Sequence, residues 1–178
     1  MALAVATSAC GGGDDAEDAS APWVGDVEAA MAAVDDERGG AQQYFEVTAT
    51  PQLTNVFVAV DDAAVAVPYL FVDGELQPPA PSLEGASGFT FTTADVDIDE
   101  AAVLSRVEAE LPGAAIVALS VEGVGAADAG TEGGIEGGGV GGGDASTVRY
   151  VVSVQSERGG FLDVTVSGDG RILAVDPL

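Results

Sequence analysis

Two hydrophobic periods alternate along this chain. Trp23, Val27, Ala30, Met31 and Val34 recur at i, i+4, i+7, i+8 and i+11, the stripe of an amphipathic helix that Gly39-Gly40 ends. Val103, Leu104, Val107 and Leu111 form a second such stripe. A capping box of Asp97 and Glu100 starts it, and Pro112-Gly113 stops it.

Elsewhere the period is two. Residues 44–50, 54–60 and 64–72 are rich in Val, Phe, Tyr and Thr, as in Phe45, Val47, Ala49 and then Val56, Val58, Val60. Pro51-Gln52, Asp61-Asp62 and Asp73-Gly74 punctuate them as turns, which predicts an antiparallel meander. Pro68 has no amide to give a ladder, so its strand is expected at an edge or a bulge. Residues 77–88, with Pro78, Pro79 and Pro81, read as a stiff exposed loop, and 89–93 as a short fourth strand. After the second helix, strands are expected at 115–121, 148–155, 161–166 and 171–175, with hairpins at Arg158-Gly159-Gly160 and Gly168-Asp169-Gly170.

Helix plus four strands therefore occurs twice, at a spacing of roughly 73 residues. The expected fold is α+β, with tandem units over 23–93 and 94–178 forming a mainly antiparallel sheet with both helices on one face. This order, with the ending Asp169-Gly170-Arg171-Ile172-Leu173-Ala174-Val175-Asp176, resembles the PepSY-like and β-lactamase-inhibitor-like secreted modules. The resemblance implies protein binding or inhibition outside the cytoplasm. The paired cysteines of the inhibitor family are missing, so no particular target enzyme is carried over.

Cys10 is the single cysteine of the 178 residues. It follows a short apolar run ending in Thr7, Ser8 and Ala9 and precedes a Gly/Asp/Ala/Ser stretch. That arrangement resembles a bacterial lipid-attachment signal, with 1–10 as the signal remnant and 11–22 as a flexible acidic tether. Thr7 stands where the motif prefers Leu, and no Lys or Arg precedes the run. The implied location is extracytoplasmic, with the chain held to the cell membrane through a lipid on Cys10. Acylation would consume the thiol, leaving none for a disulfide, a nucleophile or a metal.

Thirty acidic residues stand against five arginines, with no Lys or His, for a net charge of −25. Such a surface repels phosphate backbones and cannot release DNA counterions, so nucleic acid is disfavoured as a partner. Residues 123–143 hold eleven glycines and few large apolar side chains, so 123–146 is expected to be a disordered insertion. A phosphate-binding loop at 137–147 would need a Lys and lacks one, and Glu132, Glu136 and Asp144 would repel a triphosphate.

The missing His and Lys also remove Ser-His-Asp triads, imidazole acid/base work, His-ligated zinc and Schiff-base chemistry. Carboxylates remain, and a suitably spaced pair can hydrolyse a glycoside. Glu46 and Asp163, however, fall on the polar phase of their strands. Asp95, Asp97 and Asp99 alternate as at the start of a calcium loop, but Glu100 stands where that loop needs Gly and Arg106 where it needs a bidentate Glu. Helix capping explains the same acids, and Asp35, Asp36 and Glu37 read as a solvated helix end.

No cofactor, metal site or catalytic residue is expected. The leading expectation is a membrane-tethered, non-enzymatic binding or inhibitory module engaging an envelope or extracellular protein, peptide or glycan. Tyr44, Phe57, Tyr69, Phe71 and Tyr150 are candidates for an exposed aromatic face. The alternative is a carboxylate-dependent site for weak divalent-cation binding or glycan hydrolysis.

Overall fold

In a computed structural model, residues 22–125 and 148–178 of the protein are described. The expected lipid attachment at Cys10, the tether over 11–21 and all but the first residues of the Gly-rich insertion lie outside them.

Helix α1 (Asp26–Arg38) follows a 3-10 turn at Pro22–Gly25. It buries Val27, Ala30, Met31 and Val34, the stripe that the sequence predicts. Gly39 closes it at φ 80°, where its amide reaches back into the last turn. Strands β1 (Gln43–Ala49), β2 (Thr54–Val60) and β3 (Val65–Val72) then run as an antiparallel meander. Asp73-Gly74 turns the chain with positive φ at both residues, as a two-residue hairpin requires, into the short strand β4 (Glu75–Leu76). A second short strand, β5 (Leu83–Glu84), returns to β3. Helix α2 (Glu100–Glu110) leads into β6 (Ala115–Gly123), β7 (Val148–Gln155), β8 (Phe161–Val166) and β9 (Ile172–Pro177).

All nine strands join one antiparallel sheet in the order β4-β3-β2-β1-β6-β7-β8-β9, with β5 also paired to β3. The fold is thus a mixture of two helices and one sheet. At its centre β1 meets β6, pairing Val47 with Val121 and Ala49 with Leu119. These four side chains are at most 1 % exposed. Each larger one stabilises the fold by about 1.5–3 kcal/mol relative to its exposed state.

Alternation sends Tyr44, Val56, Val58, Tyr69, Leu119, Tyr150, Val152 and Val164 into the core on the same face. Both helices lie there. Tyr44 bonds Met31 O in α1, and Tyr150 accepts the amide of Asp97 just ahead of α2. No helix among the described residues is long and apolar enough to cross a membrane.

Several expectations are corrected. Residues 89–93 form no strand. Phe91 alone bridges to Tyr44, with amide-to-carbonyl bonds of 2.8 and 3.0 Å, because β6 already occupies the rest of that flank of β1. The first helix is consequently followed by three long strands and two dipeptide strands, so a full helix-plus-four-strand unit is evident only in the second half. Strand β6 runs on through Gly123, which therefore belongs to the sheet and not to the insertion. The Asp97 and Glu100 capping box is not made. Asp99 caps α2 by accepting the Ala102 amide at 2.9 Å, and a capping box forms instead between Thr92 and Asp95, at the separate 3-10 turn Thr93–Asp95.

Pro68 lies in β3, opposite Phe57 of β2, with its amide-free side toward the outer edge of that strand. The Pro-rich stretch is exposed, as expected, but it is also a strap. Phe71 and Val72 pair with β4, and Val65 and Ala66 with β5. Between and beyond them the amides of Gln77, Ala80 and Ala86 bond to the carbonyls of Leu70, Pro68 and Ala64 at 2.8, 2.9 and 3.0 Å.

Candidate functional site: the open face of the sheet

The face opposite the helices carries the other phase of every strand. Across the central strands run Asn55, Thr48, Ser120, Val151 and Thr165, with Phe57, Glu46, Glu122 and Arg149 in the adjacent row. None of these is buried, in contrast to their neighbours on the helix side.

Hydrogen bonds tie the polar members together. The Thr48 hydroxyl lies 2.6 Å from Glu46 Oε1 and 2.8 Å from Ser120 Oγ, so one contact crosses the β1/β6 seam. Arg149 donates to Glu122 across β6 and β7, and Ser153 donates to Asp163 at 2.7 Å across β7 and β8. Glu46 stands directly opposite Glu122. Like charges so placed repel, and each carboxylate here has its own donor to offset that. The surface is anionic and largely polar, with its carboxylates hydrogen-bonded to neighbours on the same face. Glu46 and Asp163 lie on it, as their strand phase predicts, each half-buried.

Four of the five candidate aromatics are elsewhere. Tyr44, Tyr69, Phe71 and Tyr150 are at most 6 % exposed and pack in the core, leaving Phe57 on the open face. The phase of each strand decides this: the aromatic residues of β3 and β7 share parity with buried valines. Burial and the neighbouring Asp35 carboxylate push the Tyr44 hydroxyl well above the usual phenol range, and burial likewise raises Tyr150.

A second anionic feature is a cleft of about 390 Å³ lined by Asp95, Asp97, Asp99, Tyr150, Gly168 and Asp169. The alternating aspartates do share this place, but they do not converge. Asp95 accepts the Thr92 amide and hydroxyl, and Asp99 caps α2. Asp169 accepts from Ser167, which holds its carboxyl below the usual range. Among the described residues, no group of three or more carboxylates or thiols is disposed to hold a metal ion. Gly168 is required at the cleft floor, because a Cβ there would stand 2.0 Å from the Asp97 carbonyl oxygen.

Nearby, Glu100 packs over Gly25 at the start of α1. Burial, with Glu28, Asp26 and Asp99 around it, raises its carboxyl above the ordinary value. Asp35 is not the solvated helix end that the sequence suggests. It is half-buried and accepts from Tyr44, Thr93 and the Gln42 amide, whereas Asp36 and Glu37 are exposed.

No family model, curated protein or solved structure matches the chain.

Proposed function

We propose that the protein is a non-enzymatic binding module acting outside the cytoplasm, tethered to the membrane through Cys10, with the open sheet face as its recognition surface. The observation that carries this reading is the hydrogen-bonded polar side chains of Glu46, Thr48, Ser120, Glu122 and Arg149 on a sheet face that no other layer covers among the described residues. Side chains already held in place lose less freedom on binding, which favours recognition by a preformed surface.

The proposal includes a duplicated origin akin to the PepSY-like modules. Support comes from the centre of the sheet, where the first strand after each helix, β1 and β6, pair antiparallel. The second half departs least from the expected unit.

Two measurements test this reading. Full-length protein should partition into detergent, and Cys10→Ser should release it to the aqueous phase. A photoreactive side chain at position 151 on the open face should trap a discrete envelope partner, and one at position 37 on α1 should not. Equal partitioning of both forms overturns the anchor. Equal trapping at the two positions, or none at 151, overturns the recognition surface.

A further inference from the structure

The two edges of the sheet are finished differently. Along β3, the strap formed by residues 75–86 occupies the outward carbonyls and pairs at both ends of the strand. Along β9, the sheet order ends with β8 on one side and, among the described residues, no strand on the other.

The ladder direction fixes what that edge offers. Leu178 donates its amide to Phe161 O at 3.1 Å, so the antiparallel alternation turns the amide and carbonyl of Val175 away from β8. Side chains reinforce the contrast. Of the seven exposed large hydrophobics among the described residues, four lie on or beside the last two strands: Phe161, Leu173, Val175 and Leu178. An edge with unpaired backbone groups and exposed apolar side chains is the template that proteins ordinarily blunt or cover.

Charge selects the occupant. Asp176 stands directly opposite Asp163, and both lie on the open-face side of the sheet. Ser153 donates to Asp163, while the Asp176 carboxylate has no hydrogen-bonding or ionic partner among the described residues. A strand laid antiparallel along β9 would place one residue beside Asp176 on that side and its neighbours beside Val175 on the other. A second copy brings another −25 to the same edge.

We propose that β9 binds an extended segment of a partner protein by strand addition, the segment alternating apolar residues with Lys or Arg. This rests on the binding role proposed above and adds the sheet edge to the open face as a second contact. Backbone bonds to Val175 supply register, apolar contacts to Val175 and Leu173 supply affinity, and a cation beside Asp176 supplies selectivity.

The experiment titrates the full chain, at physiological salt, with a capped nine-residue peptide alternating Val and Lys. Comparators are the Val/Glu peptide and a Val/Lys peptide N-methylated at alternate amides on its pairing edge. Binding of Val/Lys at least tenfold tighter than either comparator supports the proposal. Val175→Pro, which removes the outward amide and leaves the ladder to β8, should weaken binding about tenfold. Should that variant misfold, Asp176→Lys keeps the backbone and should reverse the preference toward Val/Glu. Equal binding of the methylated peptide, or an unchanged preference in Asp176→Lys, overturns strand addition in favour of diffuse charge attraction. Concentration-dependent dimers abolished by Val175→Pro would assign the edge to a second copy and overturn the peptide. Loss of trapping at position 151 bears on the open face alone, so the two readings fail separately.

Discussion

The phenol of Tyr44 lies 2.6 Å from Asp35 Oδ1 and 3.0 Å from the Met31 carbonyl, fastening the first strand to the last turns of the first helix. Asp35 also takes the Gln42 amide and the Thr93 hydroxyl, so one carboxylate joins α1, β1 and the turn that leads to α2. Tyr44→Phe should cost about 1.5–3 kcal/mol, the range for a hydrogen bond to a charged group. Asp35→Ala, which takes an acceptor from three donors and leaves only Tyr44 with another, the Met31 carbonyl, should cost at least as much. Urea unfolding with unchanged slope checks both, and a Tyr44→Phe midpoint equal to wild type would show that this junction contributes nothing.

Thr54 is fully buried, and its hydroxyl has no hydrogen-bond partner among the described residues. Thr54→Val keeps the shape and removes the unsatisfied group. It should raise stability by about 1 kcal/mol, since desolvating an unpaired hydroxyl costs about 1–3 kcal/mol on mutational scales. A lower melting temperature for the variant would mean that the hydroxyl is satisfied in solution.

Glu100 gives the pH dependence a sign. Its carboxyl is raised in the folded chain by burial and then by Glu28, Asp26 and Asp99. Between the ordinary value of 4.5 and the raised one, the folded chain therefore binds more protons than the unfolded chain. This group's contribution accordingly falls as pH rises through that window and recovers on acidification. Glu100→Gln should melt higher than wild type at pH 7, and the difference should vanish below the ordinary value. A constant difference at both pH values would assign the effect to packing.

With a net charge of −25, self-repulsion is screened by monovalent salt, which should raise the melting temperature from low ionic strength. Calcium at fixed high salt should add little, because Asp95 and Asp99 are engaged in caps. A bound ion would instead stabilise by mass action. A calcium-dependent rise of several degrees in wild type, lost in Asp97→Asn, would replace the capping explanation with a metal site.

Much of the scaffold is written in local periodicity. The stripe of α1, the limits of β2 and the Asp73-Gly74 turn follow from residues within a few positions of one another. Pairings between distant segments do not. Residues 89–93 have strand composition, yet β6 holds the place beside β1 that they would need. Candidate site residues divide along the same line. Glu46 and Asp163 were legible from strand phase, whereas placing Tyr69 and Tyr150 in the core required knowing which phase of each strand faced the helices. Asp35 offered no signal at all, because its three donors arrive from residues 7, 9 and 58 positions away.

Thr48 and Ser120 touch although 72 positions separate them. On a ribosome adding about 5–20 residues per second, β1 waits roughly 4–14 s between its own emergence and that of its central neighbour. During that interval the N-terminal meander presents the very strand flank that becomes the middle of the finished sheet. Closing the seam is a long-range event with a large loop to organise, so the chain should mature slowly compared with a helical bundle of its size. A polypeptide built this way carries its longest exposure to off-pathway strand pairing at β1.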